Sequence, residues 1–115
     1  GQGREHMPAR RIPDAIKAQV EERIAAFNHG VLRDPNVCYR PRYRGAFLYL
    51  DRCDDGQVGP ICRLEYTGTL DRWEFAIYKY SDERYDPDEW FFPGAEQVDG
   101  TLEGAMRAGL AAYPP

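Results

Sequence analysis

The sequence predicts an α+β fold: an N-terminal helix, an antiparallel meander sheet of three or four strands, a short helical turn and a C-terminal helix. Three observations support this prediction. An apolar stripe of helical spacing opens the chain, hydrophobic stretches joined by short glycine-bearing turns fill its middle, and a second capped helical segment closes it. The length of 115 residues suits one domain, and we expect residues 7–115 to form it.

The first helix is predicted by apolar residues that recur every three or four positions, which is the spacing of one buried face. Pro13 has the fixed φ that suits the first helical position, and Gly30 can adopt the left-handed conformation that follows a helix end. We therefore expect a helix over residues 13–29. Its buried stripe comprises Ile12, Ile16, Val20, Ile24 and Phe27.

The middle of the chain predicts the sheet. Residues 37–51 indicate one interrupted strand or two, and Pro41 places the first part at an edge or a bulge, because proline cannot donate to a strand ladder. Strands over residues 61–67 and 72–80 follow, each after a short turn that contains glycine. A turn centred near Thr69 predicts three cross-strand pairs. They are Tyr66 with Trp73, Leu64 with Phe75 and Cys62 with Ile77.

This register gives the sheet two different faces. Leu64, Trp73 and Phe75 share an apolar face, on which the first helix should lie. The opposite side, called the second face below, carries charged and phenolic side chains. Residues 46–50, "AFLYL", are apolar on both sides, so we expect the second face to be covered as well. The C-terminal helix, residues 86–94, a second copy of the chain or a ligand could cover it.

Residues 81–94 predict a short helical turn. Asp86 suits the N-cap of such a turn, with Pro87 at its first position and Glu89 at its third. The apolar area of the aromatic residues that follow is too large to leave in water, so this segment should fold back over a sheet edge or end. Those residues are Trp90, Phe91 and Phe92.

The last helix is predicted to begin after a cap at Asp99 or Thr101 and to end before Pro114. Leu102, Met106 and Leu110 form its apolar stripe. Glycine costs a helix about 1 kcal/mol relative to alanine. At Gly104 and Gly109 we therefore expect a close approach, either to the sheet or to alanines of the first helix, which are Ala15, Ala18 and Ala25.

The composition is that of a soluble globular protein, with 43% hydrophobic and 30% charged residues, and no apolar run suits a membrane span or a secretory signal. We interpret residues 1–6 as an expression-tag remnant, because His6-Met7 is what a common cloning site encodes. Three cysteines without a C-x-x-C motif fit a reducing cytoplasm and free, half-buried thiols. One hairpin register would nevertheless set Cys53 opposite Cys62.

The charges and motifs argue against several functions. Residues 1–44 hold nine Lys/Arg and five Asp/Glu and residues 45–115 hold six and fourteen, so we expect the two halves to form ion pairs with each other. The net charge of −4 and the presence of Lys17 and Lys79 as the sole lysines argue against nucleic-acid binding. We expect no metal and no cofactor, because the sequence has no nucleotide-binding or nucleophile motif, and His29 is the one histidine outside the tag.

The second face is the surface on which a binding hypothesis rests. Tyrosine combines an apolar body with a hydroxyl that needs a partner, so a mixture of tyrosine, arginine and glutamate suits recognition. Residues 46–50 would add either Phe47 and Tyr49 or Ala46, Leu48 and Leu50. The candidate ligand-binding residues are Arg40, Arg42, Arg44, Arg63, Glu65, Glu74, Tyr78 and Tyr80.

We expect a non-catalytic module that uses this face to bind an anionic or aromatic small molecule, a peptide or a protein partner. Other interpretations stay open. Glu65 and Glu74 fall opposite each other, and arginines such as Arg63 could join them in a purely structural lattice. The same two carboxylates could instead form the acid/base pair of an enzyme of unknown substrate. A homodimer could also bury the face.

The chain has several specific-looking stretches that together span nearly all of residues 7–115. They are "IPDAI", "FLYLDR", "ICRLEYTG", "WEFAIYKYS", "RYDPDEWFFPG" and "VDGTLEGAMRAGLAAYP". In these stretches it resembles a set of small bacterial proteins known from genome sequences without an assigned activity. The resemblance implies a cytoplasmic bacterial origin, and it brings no catalytic residues to carry over.

Overall fold

A computed structural model describes residues 11–115, so the interpreted tag remnant lies outside the described residues. The predicted α+β fold is confirmed, with a sheet of five strands in chain order rather than three or four. The helices are α1 (Asp14–Phe27) and α2 (Leu102–Ala112). The strands are β1 (Val37–Arg44), β2 (Phe47–Asp54), β3 (Gln57–Tyr66), β4 (Trp73–Lys79) and β5 (Arg84–Asp86).

The sheet has the register that the sequence predicts. Tyr66 pairs with Trp73, Leu64 with Phe75 and Cys62 with Ile77. Residues 37–51 form two strands, because a two-residue turn at Gly45 and Ala46 reverses the chain between β1 and β2. Gly45 has a φ of 61°, a conformation that glycine adopts without steric cost.

The outer edge of β1 is protected at two positions. The side-chain amide of Asn28 accepts a hydrogen bond from the N–H of Tyr39 at 2.8 Å and donates one to its C=O at 3.1 Å. Pro41 lies on this edge strand, as predicted, and has no N–H to offer. Both features hinder the addition of a strand from another chain at these positions.

Both helices pack on the apolar face of the sheet. The buried stripe of α1 follows the predicted spacing, and α2 contributes its own apolar residues to the same cluster. The cluster includes Val20, Ile24, Phe27, Leu48, Leu64, Trp73, Phe75, Leu102 and Met106. Burial on this scale is the main source of stability for a domain of this size. None of the helices within residues 11–115 is long and apolar enough to cross a membrane.

The end of α1 differs from the prediction. The helix continues into a π-helical turn, Asn28–Leu32, which contains Gly30, and the left-handed residue that ends this turn is Arg33, with a φ of 57°. The contacts of Asn28 explain the difference, because its side chain is bonded to β1 while its C=O accepts from the N–H of Arg33 at 2.9 Å. The chain therefore reverses one turn later than the glycine suggests.

The short helical turn also lies elsewhere. Asp86 ends β5 opposite Ile77, and its carboxylate accepts from the N–H of Asp88 at 3.0 Å, so the predicted capping group closes a non-helical turn. The short helix is instead a 3-10 turn at Ala95–Gln97. Of the aromatic residues between them, Trp90 and Phe92 fold back as predicted, whereas Phe91 is 97% exposed, so the expectation is wrong for this residue. The rings of Trp90 and Phe92 each lie 6.0 Å from that of Phe75 between centroids.

Helix α2 begins at the cap that Thr101 provides, since its hydroxyl accepts from the N–H of Gly104 at 2.9 Å. Asp99 supports this cap by accepting from the hydroxyl and the N–H of Thr101, and these hydrogen bonds lower the pKa of Asp99. Gly109 approaches the sheet as predicted. A Cβ there would lie 2.5 Å from the Tyr39 hydroxyl and 2.6 Å from Ile61 Cγ2. Gly104 faces the Asp99 side chain instead of the sheet or α1.

The register that would join Cys53 to Cys62 is wrong. Cys53 pairs with Val58, whereas Cys62 pairs with Leu50 and Ile77 inside the core. A β-bulge between Leu50 and Asp51 shifts the β2–β3 register, which the sequence pattern did not indicate. All three cysteines are free, and burial raises the pKa of the Cys62 thiol.

Candidate binding surface

The second face is not covered by any helix among residues 11–115. Of the two sets of residues that β2 could place on the second face, Phe47 and Tyr49 lie there, because Leu48 and Leu50 point into the core. The expectation that α2 or residues 86–94 would cover it is wrong, because α2 packs on the apolar face and so do the rings of Trp90 and Phe92. Cover by a second copy or by a ligand stays a prediction.

The predicted site residues occupy three different strands. Arg40, Arg42 and Arg44 alternate outward along β1, Arg63 and Glu65 lie on β3, and Glu74 and Tyr78 lie on β4. Strands are spaced about 4.8 Å apart, so the Cα atoms of β1 and β4 lie about 14 Å apart across the sheet. No ion pair within 4.0 Å joins Arg40 or Arg44 to Glu74 among the described residues.

Tyr80 lies beyond the end of β4 and stabilises the end of the sheet. Its hydroxyl donates to the C=O of Pro60 at 2.8 Å, and its ring packs edge-on against Tyr113 at 5.3 Å between centroids. Burial raises the pKa of Tyr80, and the nearby phenol of Tyr113 raises it further. Because its hydroxyl is bonded to the backbone of Pro60, Tyr80 has a structural role at the margin of the second face.

Four rings and one guanidinium make up the centre of the second face, which we call the aromatic cradle. It consists of Phe47, Tyr49, Arg63, Tyr78 and Tyr85. The ring of Tyr85 lies 5.2 Å from that of Tyr49 and 4.9 Å from that of Tyr78 between centroids. Since β2 and β5 are three strand spacings apart, about 14 Å, the sheet must curl toward this side for these rings to meet. The cradle is therefore concave.

Arg63 lies at the floor of the cradle. Its guanidinium carbon is 4.5 Å from the ring centroid of Phe47 and 5.7 Å from that of Tyr85. Glu65 and Glu74 are cross-strand partners as predicted, yet no ion pair within 4.0 Å joins either of them to Arg63 in the described part of the chain. The lattice expected around these carboxylates does not form there. Stacking on the two rings holds the arginine instead.

Arg42 at the rim of the cradle has a partner. It makes two hydrogen bonds to the carboxylate of Asp51, at 2.8 and 3.1 Å, and lies 4.8 Å over the ring of Tyr49. Hydrogen bonding to Asp51 raises the pKa of Arg42. Burial raises the pKa of Tyr85, against the opposing effect of the nearby Arg42, whose Nη2 lies 3.5 Å from the Tyr85 hydroxyl.

A shallow depression of about 370 Å³ adjoins the cradle. Its wall is formed by Val58, an apolar residue that is 54% exposed, and by Pro60. The other lining residues are Arg42, Asp51, Gly59, Tyr78 and Tyr85. This depression is open to solvent, whereas small-molecule sites enclose most of their ligand, so it suits a side chain of a larger partner better than a small ligand.

Asp51 and Tyr85 also belong to the surface, although they are not among the residues that the sequence predicts for it. Asp51 could have been placed by the alternation of β2, in which it follows Phe47 and Tyr49 on the same side. Tyr85 gives no comparable signal, because β5 has three residues and lies within residues 81–94, for which the sequence predicts a short helical turn. A three-residue strand is too short to show an alternating pattern.

No group of three or more histidine, cysteine or carboxylate side chains within residues 11–115 is arranged to hold a metal ion. Comparisons of the chain with family models, with curated proteins and with solved structures find no match.

Proposed function

We propose that this chain is a non-catalytic binding module that takes an acidic segment of a protein partner in the aromatic cradle. The observation that carries the proposal is Arg63. Its guanidinium is half-buried between two rings, and no described residue provides a carboxylate or a hydrogen-bond acceptor for it. An unpaired guanidinium in this position would form its strongest hydrogen bonds with an anionic group of a binding partner.

The charge of the second face supports an acidic partner. Four arginines and three carboxylates lie on it, in a chain whose net charge is −4. Asp51 already neutralises Arg42, whereas Arg40, Arg44 and Arg63 have no ion pair among the described residues. The arginines are Arg40, Arg42, Arg44 and Arg63, and the carboxylates are Asp51, Glu65 and Glu74.

The shape and residue types support a protein segment rather than a small molecule. Tyrosine and arginine are the residue types most enriched among those that dominate binding energy at protein interfaces. The cradle is open and concave along the sheet, and the depression beside it is shallow. An extended segment with alternating acidic and aromatic side chains could place a carboxylate at Arg63 and an apolar group against Val58.

The test is a binding titration with two synthetic peptides of equal length, one alternating glutamate and tyrosine and the other alternating lysine and tyrosine. Fluorescence anisotropy should show saturable binding of the acidic peptide, and this binding should weaken as salt is added. Arg63→Gln should weaken binding about tenfold, which corresponds to about 1.4 kcal/mol. Equal binding of both peptides would contradict the proposal.

Arg107→Gln is a matched control for Arg63→Gln. The guanidinium of Arg107 also lies over a phenylalanine ring, at 5.5 Å from that of Phe27, but it belongs to α2 on the opposite side of the molecule. We expect this variant to bind the acidic peptide like the unchanged protein. Equal losses in both variants would show that the arginines act through general charge, and the proposed site would be wrong.

Two other outcomes would also overturn the proposal. A concentration-dependent dimer in sedimentation that Arg63→Gln dissociates would make the second face an interface between copies of this chain. Thermal stabilisation by an aromatic monocarboxylate such as benzoate, without any peptide binding, would make the cradle a small-molecule site.

A further inference from the structure

The structure brings two of the three cysteines together. Cys38 on β1 and Cys53 on β2 are direct partners in the antiparallel register, and both are half-buried and free. They lie on the second face, since Cys38 alternates with the buried Val37 and Tyr39, and Cys53 alternates with the buried Arg52. Cys62 is separated from them inside the core.

The spacing of this pair follows from the hydrogen bonds of its neighbour. Tyr39 directs its N–H and C=O away from β2 to the side chain of Asn28, so Cys38 directs its own groups toward β2. Cys38 and Cys53 are thus a hydrogen-bonded pair, with Cα atoms about 5.5 Å apart, within the range of about 4.4–6.8 Å found in disulfides. In a hydrogen-bonded pair the Cβ atoms lie near the upper end of the range of about 4.5–5.5 Å, about 1 Å beyond the upper limit usual for disulfides. Closing the bridge therefore requires the two strands to approach each other locally, and the bridge would be strained and readily reduced.

Both cysteines are partly exposed to solvent. Cys38 lies on the edge strand, beside a cleft of about 600 Å³ that His29 and Arg33 also line. Cys53 pairs on its other side with the exposed Val58. The β1–β2 turn and the Asn28 contacts hold the two strands in register, which keeps each thiol beside the other at high effective concentration.

We infer that Cys38 and Cys53 form a reversible disulfide by exchange with a low-molecular-weight disulfide of the glutathione type. One cysteine thiolate attacks a sulfur of the oxidised glutathione, whose S–S bond breaks and releases one glutathione thiolate. The second cysteine thiolate attacks the protein sulfur of the mixed disulfide and releases the other glutathione. The two protein thiols are oxidised, the glutathione disulfide is reduced to two thiols, and the protons lost by the cysteines pass to the released thiolates. This inference is independent of the proposed binding function.

The bridge would join β1 to β2 next to Arg40 and Asp51, which are partners in the following pair of the same face. It would tie the edge strand of the sheet to its neighbour at the end remote from the β1–β2 turn. The redox state would then control how freely this end of the edge strand separates from the sheet.

The experiment treats the full chain with oxidised glutathione, alkylates the remaining thiols and analyses the intact protein and its peptides by mass spectrometry. We expect loss of two alkylatable thiols, a peptide bridged between Cys38 and Cys53, no retained glutathione, and recovery of both thiols with excess reduced glutathione. Cys38→Ser should retain one glutathione on Cys53, and Cys53→Ser should retain one on Cys38. Cys62→Ser should behave like the unchanged protein.

Three results would overturn the inference. The first is glutathione retained on both cysteines of the unchanged protein, which would show that the pair cannot close. The second is a bridge that includes Cys62 or joins two chains. The third is the absence of any reaction while the two thiols still react with iodoacetamide, which would show that the pair is accessible but does not exchange.

Discussion

Two arginines on neighbouring strands each form an ion pair with an aspartate, one on each face of the sheet, and the two pairs differ in how deeply the arginine is buried. Arg52 on the apolar face is 2% exposed and binds both carboxylate oxygens of Asp54, at 2.8 and 3.1 Å. Arg42 on the second face binds both oxygens of Asp51 at the same two distances, but its side chain is 55% exposed. Burial makes the first pair a structural requirement and leaves the second available for recognition.

Arg52 has further partners that Arg42 lacks. It donates to the C=O of Tyr113 at 2.5 Å and to that of Gly109 at 3.5 Å, which fixes the end of α2 against β2. It also donates to the hydroxyl of Tyr39 at 3.4 Å. Burial by itself would lower the pKa of Arg52, but the hydrogen bond to Asp54 and the Tyr39 phenol raise it. The arginine therefore stays charged within the core.

The largest expected effect comes from removing the buried arginine. Arg52→Ala should lower the free energy of unfolding by about 3–5 kcal/mol, because it leaves Asp54 without its buried partner and the C=O of Tyr113 without its donor. Arg42→Ala should cost less than about 1 kcal/mol, because its pair is exposed. Urea denaturation of both variants measures the difference. Similar losses would show that the faces do not differ as described, and Arg52→Lys should give an intermediate value.

A smaller effect is expected where α2 touches the apolar face. Gly109→Ala should cost about 1–3 kcal/mol, because the added methyl group would overlap the Tyr39 hydroxyl and Ile61. Gly30→Ala is the matched control, since nothing lies within 4 Å of its Cβ position. Thermal unfolding should show a lowered midpoint for the first variant and an unchanged or slightly raised one for the second. An unchanged midpoint for Gly109→Ala would mean that α2 packs less closely than described.

The buried phenol of Tyr39 should make stability depend on pH. Burial raises its pKa above the ordinary value of 10.0, so its contribution is fully present below pH 10 and is lost as the pH rises further. The slope of unfolding free energy above pH 10 should be shallower in Tyr39→Phe, by up to about 1.4 kcal/mol per pH unit. Denaturation series for both proteins measure this difference in slope. They run from pH 8 to pH 11, about two units below and one unit above the ordinary pKa of tyrosine. Identical slopes would place the phenol in water.

The smallest effect on stability is expected at the aromatic cradle. Arg63→Gln should change the free energy of unfolding by less than about 0.5 kcal/mol, because Arg63 has no ion pair to lose among the described residues. The same substitution is predicted to weaken peptide binding, so the two measurements separate a binding residue from a structural one. A stability loss above about 2 kcal/mol would identify Arg63 as part of the fold.

The structural features that depend on residues close together in the chain could be predicted from the sequence. The helix stripe of α1, a cap of α2 at Asp99 or Thr101 and the β3–β4 register all follow from residues close together in the chain. The sequence did not predict the curl of the sheet, which depends on twist accumulated over five strands and on the bulge after Leu50. The assembly of the cradle depends on that curl, because Tyr85 reaches Tyr49 only across two intervening strands.

The central claim is that the second face is open in solution while the apolar face is not. Paramagnetic relaxation by a neutral gadolinium chelate measures this for individual side-chain protons. We expect strong relaxation of Tyr49, Arg63 and Tyr78 protons and almost none for Trp73 and Phe75, with no change as the protein concentration is raised through the micromolar range. Protection of Tyr49 and Arg63 equal to that of the core residues would contradict the account.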